Sequence, residues 1–213
     1  MRRILTVAAV CAVVAAAVAT GFAQAAPEDT EGVTPMVSSS LVVNEVATRG
    51  PNGERDEFIE IRNLSTRPIS LAEDFEIRIY QANGQYQTVS FPEGITLEAR
   101  GQQGDLLLLA GENFSGTAPG WVTQVPLDPK TVDIPDNGGV AIFTATGAKV
   151  DGVAFSSAIP TTAAREGQPA RPMTNLNVDP LMYVSSARDV LSTDTDQNRV
   201  DFDLHVATPG ELN

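Results

Sequence analysis

The chain has 213 residues, one cysteine, one histidine, a formal net charge of −13 and a near-neutral mean hydropathy of −0.04. Such an excess of acid works against binding nucleic acid or anionic membrane surfaces, which are held through clusters of Lys and Arg. With Cys11 and His205 each alone, thiolate zinc sites, intrachain disulfides and a histidine-centred triad are poorly supported.

Met1-Arg2-Arg3 is a short positive start, Ile4 to Thr20 is mostly Ala and Val, and Ala23-Gln24-Ala25 is a small-x-small cleavage sequence. Residues 1–25 therefore read as a secretory signal peptide, cleaved near Ala25-Ala26 and taking the general export route. Its apolar run is shorter than the roughly 20 residues that a spanning helix needs, so no transmembrane anchor is expected after cleavage. Cys11 leaves with it, and loss of Arg2 and Arg3 takes the formal charge from −13 to −15. Residues 26–40, with Pro27, Glu28, Asp29, Glu31, Pro35 and three serines, lack apolar periodicity and read as a disordered spacer. The end of the chain carries no sorting motif or hydrophobic tail, which favours free release.

Residues 41–213 read as one all-β domain, because short apolar runs recur between Gly, Pro, Asn and Asp clusters and no stretch holds a helical period for three turns. The expected strands are Leu41–Ala47, Glu57–Asn63, Phe75–Gln81, Gln85–Phe91, Asp105–Ala110, Trp121–Gln124, Gly139–Thr144, Val150–Phe155, Met182–Ser186 and Phe202–Val206. The second hairpin admits two registers. A two-residue Asn83-Gly84 loop would set Val89 opposite Arg78, whereas a three-residue loop with Gly84 left-handed sets Tyr80 opposite Tyr86 and Ile77 opposite Val89. The second keeps apolar residues on one face and is preferred, since a one-residue slip reverses every side chain.

Leu106–Leu109 and Val140–Phe143 are unbroken apolar runs, suited to strands covered on both faces. Trp121 reads as core, with a sugar-stacking platform as its alternative. The proline-containing segment Ser156–Asp179 is long enough to be a partner-facing surface or an ordered wrap across one end of the domain. Asn63-Leu-Ser65 and Asn113-Phe-Ser115 match the glycosylation pattern, which often arises by chance.

The densest polar stretch is Asp194-Thr-Asp-Gln-Asn-Arg-Val-Asp-Phe-Asp203. Asp194, Asp196 and Asn198 occupy positions 1, 3 and 5 of a calcium loop, with Asp201 a further ligand on a different backbone path. Arg199 stands where the loop needs Gly, and His205 where it needs a bidentate Glu. The competing reading makes these side chains Asx-turns leading into the last strand, with no cofactor at all. Glu45, Glu57 and Glu60 are the other clustered carboxylates. Glu57 and Glu60 fall on opposite faces of one strand and cannot act as a catalytic pair, and Glu60 shares a face with Arg62, suggesting an ion pair at the rim.

Several segments recur in a recognisable order: Leu41-Val-Val-Asn-Glu-Val46, then Asp56-Glu-Phe-Ile-Glu-Ile-Arg-Asn63 and Pro68-Ile-Ser-Leu71, then Val150-Asp-Gly-Val153 and Arg165-Glu-Gly167. The chain closes on Asp-Thr-Asp-x-Asn-x-x-Asp-Phe and Thr208-Pro-Gly-x-x-Asn213. In this order and spacing they resemble the lamin tail domain, in the exported form common in bacteria. Ser185-Ser-Ala-Arg188 only approximates the Ser-Leu-x-Arg-like strand of that family. The resemblance implies an immunoglobulin-like β-sandwich used as a binding or attachment module and not as an enzyme. The nuclear members' partners, DNA among them, do not carry over to an exported acidic chain. The resulting expectation is a secreted monomer that meets a protein or glycan partner at the cell envelope, with a calcium-stabilised domain and an acidic-residue hydrolase as alternatives.

Overall fold

A period-two alternation of apolar residues gives a strand one buried face, and two such faces brought together form a core. A computed structural model of the chain describes residues 40–128, 132–173 and 181–213. The expected signal peptide, residues 26–39 of the spacer and residues 174–179 of the long segment lie outside the described residues. In chain order the strands are β1 (Leu41–Ala47), β2 (Phe58–Asn63), β3 (Ile69–Ser70), β4 (Phe75–Tyr80), β5 (Tyr86–Ser90), β6 (Thr96–Leu97), β7 (Leu106–Ala110), β8 (Thr123–Pro126), β9 (Gly139–Thr144), β10 (Lys149–Ala154), β11 (Val184–Ala187) and β12 (Asp203–Val206). A single-turn helix α1 (Asn198–Asp201) precedes the last strand.

The domain is all-β. Six strands form one sheet in the order β12-β11-β1-β2-β7-β8, four form a second in the order β10-β9-β4-β5, and β3 pairs with β6 alone. Neighbours run antiparallel except β7 and β8, which are parallel. Val43, Val46, Ile59, Ile61, Leu107 and Leu109 of the larger sheet pack with Ile77, Ile79, Val140, Ile142 and Val153 of the smaller one in a single buried cluster. The two unbroken apolar runs are covered on both faces, as their composition requires. Leu108 turns away from the shared core to join Ala47, Phe58 and Val122, while Ala141 and Phe143 turn to Tyr80, Ile159, Ala163 and Ala164.

The second hairpin takes the preferred register, with Ile77 opposite Val89 and Tyr80 opposite Tyr86. Gln81 N–H donates to Gln85 O at 2.8 Å, and Gly84 sits at φ 82°, the left-handed conformation that the three-residue loop demands.

Other expectations need correcting. Trp121 is 41% exposed and precedes β8, so it is not core. Val122, Val125 and Leu127 carry the burial there instead, and they shift the strand two residues along. The β3–β6 pair was not anticipated, because two residues are too few to show a period. The described part of the long segment, up to Met173, is an ordered wrap, with Ile159, Ala163, Ala164, Ala170 and Met173 buried. Among the described residues no helix is long and apolar enough to cross a membrane.

Candidate functional site

The polar residues that punctuate the sequence collect into two buried clusters on either side of one irregularity in β1. Pairing of β1 with β2 shifts register between Val43 and Glu45, so Asn44 and Glu45 both stand against Glu60. A bulge of this kind places two consecutive side chains where regular pleating would place one. Val43 and Val46 remain in the shared core, and Asn44 and Glu45 are free to reach polar partners on the outer side.

The first cluster surrounds Arg188, which follows β11 and is fully buried. Its backbone N–H donates to Asn44 O at 2.9 Å, and its Nε donates to Val43 O at 3.0 Å. The guanidinium meets Asp151 Oδ1 at 2.8 Å, Asp201 Oδ2 at 3.2 Å and Asp194 Oδ1 at 3.4 Å, with a further bond to Thr193 O at 2.7 Å. The Phe202 ring lies 4.5 Å beneath it. A buried cation requires such company, since charge taken out of water without partners is prohibitively costly. Burial would depress the pKa of Arg188, but the carboxylates of Asp151, Asp194 and Asp201 outweigh it and raise it.

Asn198 knits the same region through its amide. Its Oδ1 accepts the N–H groups of Ala154 and Glu166, and its Nδ2 donates to Gly152 O at 2.7 Å. Asp201 accepts from Thr195 N, Thr195 Oγ1 and Gln197 N, which folds the acidic turn back onto itself. Asp196 stands at φ 56°, a left-handed conformation that Asx residues tolerate, and its buried Oδ2 has no hydrogen-bond partner among the described residues.

The four residues of the expected calcium loop are therefore not drawn together as ligands. Asn198 and Asp201 direct their oxygens at backbone N–H groups, the Thr195 hydroxyl and Arg188. Asp194 instead joins Asp151 and Glu166, whose carboxylate oxygens all lie within 4.8 Å of one another. Burial pushes Glu166 up to about 9, aided by Asp151 and opposed by Lys149, whose Nζ is 3.2 Å from Glu166 Oε1. Burial likewise raises Asp151 and Asp196. The acid at this point exceeds the cationic charge of Arg188 and Lys149.

The second cluster is a carboxylate pair. Glu45 and Glu60 are directly opposed on β1 and β2, and both are fully buried. Glu60 accepts from Asn44 Nδ2 at 2.7 Å and from Gly210 N at 2.6 Å. Glu45 accepts from Ser185 Oγ, Thr208 N and Asn213 Nδ2. Residues 208–213 thus close over the pair, which gives each polar position of Thr208-Pro-Gly-x-x-Asn213 a partner. Burial raises Glu60 to about 8, with the charge of Glu45 adding to it, and burial raises Glu45 as well. The expected Glu60–Arg62 ion pair does not form. Arg62 pairs with Asp105 at 3.2 Å and donates to Ser192 Oγ at 2.8 Å. Glu57, as its strand position required, lies apart from Glu60. Its Oε2 accepts from Ile134 N at 2.8 Å, and burial lifts its pKa to about 7.

One glycosylation pattern can be set aside: Asn63 is buried and its Nδ2 donates to the carbonyls of Arg67, Leu97 and Glu98. Sequence reasoning did not find Arg188 as the centre of anything. The available signal was an arginine at the end of a short strand just before the run that holds Asp194 and Asp201.

Together these features define a β-sandwich whose sequence motifs are joined in two buried polar clusters beside the bulge in β1. No protein-family model matches this chain, and no curated protein is similar to it at a significant level.

Proposed function

We propose that the protein is a secreted, non-catalytic interaction module with a lamin-tail-like, immunoglobulin-like sandwich, acting at the cell envelope or beyond it. The observation that carries this reading is the mutual consumption of the motif residues. Asn44, Glu45, Glu60, Asp151, Glu166, Arg188, Asn198, Asp201, Thr208, Gly210 and Asn213 all take part in bonds to one another. A catalytic carboxylate pair needs access to substrate and a defined gap across a cleft. Glu45 and Glu60 are instead sealed beneath residues 208–213, so the polar chemistry of these motifs serves the scaffold and recognition falls to the exposed surface. Cross-linking in the native envelope followed by capture of the protein tests the module. A specific partner is expected, whereas turnover on glycan, ester or nucleic-acid panels that is lost on Glu60→Gln would overturn it.

A second reading, a cation-stabilised domain, is favoured by the convergence of Asp151, Glu166 and Asp194 and by the unpartnered Asp196 Oδ2. Hard cations take six to eight oxygens, and calcium would relieve the excess acid around Arg188. Thermal unfolding with calcium and then with chelator separates the two. An ion at 100 times its dissociation constant adds about 2.7 kcal/mol, and an unchanged midpoint removes the cation from consideration.

A further inference from the structure

A sheet ends in strands whose outward N–H and C=O groups lack a neighbour, and natural proteins blunt such edges with charge, proline, brevity or a covering segment. Three of the four edges of the two large sheets are treated in this way. β10 is covered: Asn198 bonds Gly152 O and Ala154 N, and Ala170 N donates to Ala154 O at 2.9 Å. β12 is four residues long and carries His205 and Asp203, the latter paired with Arg171 at 3.5 Å. β8 is also four residues long and ends on Pro126. β5 is the exception. Residues 81–91 (Gln-Ala-Asn-Gly-Gln-Tyr-Gln-Thr-Val-Ser-Phe) contain no charged side chain and no proline, although 19% of the chain is charged. Every residue of β5 except Val89 is exposed, and among the described residues the strand pairs with β4 alone.

The hairpin register fixes what this edge offers. Facing residues of an antiparallel pair alternate between hydrogen-bonded and non-bonded. Gln81 N donates to Gln85 O at 2.8 Å, so Ile79–Gln87 and Ile77–Val89 are the bonded pairs. Tyr86, Thr88 and Ser90 therefore turn their N–H and C=O groups outward. Ala145 N donates to Asp74 O at 2.8 Å, which gives Glu76, Arg78 and Tyr80 to β9 and agrees with that phase. The side chains of Tyr86, Thr88 and Ser90 share the outer face with Tyr80, Arg78 and Glu76, while Val89 packs against the shared core. Arg78 pairs with Glu76 at 2.6 Å, so the strand behind the edge presents matched charges.

From this geometry we propose that β5 is a self-association edge, met antiparallel by β5 of a second copy of this chain about a two-fold axis through Thr88. That register sets Thr88 opposite Thr88 of the second copy and Tyr86 opposite its Ser90. Every outward N–H and C=O of β5 then gains a partner, and the two four-stranded sheets become continuous. Thr–Thr is a favourable cross-strand pair, and Tyr86, 51% exposed in the single chain, gains a neighbouring strand beside its ring. Charge selects this occupant. Glu73, Asp74 and Glu93 stand at the open end of the hairpin, away from the Asn83-Gly84 tip. The antiparallel two-fold lays those acids against the uncharged tip of the second copy, whereas parallel stacking would set acid on acid. A basic segment, the partner that a net charge of −13 would otherwise attract, finds no carboxylate on β5 to pair with. One strand edge makes a small interface, so the dimer is weak and dissociates on dilution. The inference stands on the sheet edge and is independent of what else the domain binds.

The test is analytical ultracentrifugation of the purified chain at concentrations up to about 1 mM. A monomer–dimer equilibrium is expected. Its dimer fraction should rise between about 20 and about 500 mM sodium chloride, because salt screens the repulsion between two acidic chains. Thr88→Asp and Thr88→Lys each set like charges opposite themselves and should weaken association about tenfold or more. An equimolar mixture of the two variants should pair again, because Thr88 is its own partner in this register. Trp121→Ser, on the loop before β8, should leave association unchanged. Thr88 is exposed, and circular dichroism on each variant confirms that the fold persists. A monomer at every concentration and salt overturns the proposal, as does a dimer that survives both Thr88 variants. Loss of the dimer with Trp121→Ser moves the interface elsewhere and overturns it too. Failure of the mixed variants to pair overturns the two-fold register through Thr88.

Discussion

At the scale of single residues, the cluster around Arg188 makes the sharpest demands. Arg188→Ala leaves Asp151, Asp194 and Asp201 buried beside one another without their shared cation. Breaking a buried ion pair costs about 3–5 kcal/mol. Chemical denaturation should therefore show a loss of at least that order or no folded protein, and Arg188→Lys should rescue little, because an ammonium cannot span three carboxylates and two carbonyls as the guanidinium fork does. Asn198 offers a cleaner discrimination. If it were a cation ligand, Asn198→Asp would preserve or strengthen the site. Because its Nδ2 donates to Gly152 O, the added carboxylate should instead repel that carbonyl and destabilise the protein by about 1–3 kcal/mol or more, read as a lower denaturation midpoint.

At the scale of elements, two glycines test two different origins of turn stability. Gly84 and Gly210 have nearly the same left-handed backbone, at φ 82° and 83°. A Cβ on Gly84 meets nothing within 4 Å, so Gly84→Ala should cost only the conformational strain, about 1–2 kcal/mol. A Cβ on Gly210 would lie 2.9 Å from Pro119 Cδ and 3.0 Å from the Ala118 and Val122 side chains. Gly210→Ala should therefore cost clearly more, because it also lifts residues 208–213 away from Glu45 and Glu60. Urea melts of the two variants side by side measure the difference. Equal losses would mean that the terminal segment is not a closing element. The hairpin register and the two doubly buried runs were legible at this scale, since a period of two and unbroken apolar stretches are local properties. The β3–β6 pair and the exposure of Trp121 were not legible, because they depend on which neighbouring residues win the available burial.

At the scale of the whole molecule, the buried acids predict an unusual pH response. Glu57, Glu60 and Glu166 have folded-state pKa values raised by burial to about 7, about 8 and about 9 from 4.5. Between 4.5 and those values the folded state holds more protons than the unfolded state, so stability declines as pH rises. The contribution is present in full below about pH 4.5 and is lost progressively as pH passes through about 7 to 9. The melting temperature should therefore be higher near pH 5 than near pH 9, the reverse of ordinary acid unfolding. Glu60→Gln should flatten the slope whatever its effect on absolute stability, because it removes one of the groups that titrate. A melting temperature that climbs steadily from pH 5 to pH 9 would contradict this account of the glutamate cluster.

The sequence by itself determined the all-β class, the position of most strands, the register of the β4–β5 hairpin and the separation of Glu57 from Glu60. Each of these follows from backbone geometry acting over a few residues. Only the tertiary structure decided that Glu45 opposes Glu60, that the terminal Thr208, Gly210 and Asn213 close over that pair, that Arg188 gathers three aspartates, and that Asn198 holds backbone where a calcium ligand was expected. The physical reason is that an Asp, Asn or Glu carries the same donors and acceptors whether it binds an ion, caps a turn or anchors a distant strand. Which role it takes depends on what the sheet order and the bulge in β1 bring within hydrogen-bonding reach of it, and those partners lie up to 168 positions away in the chain.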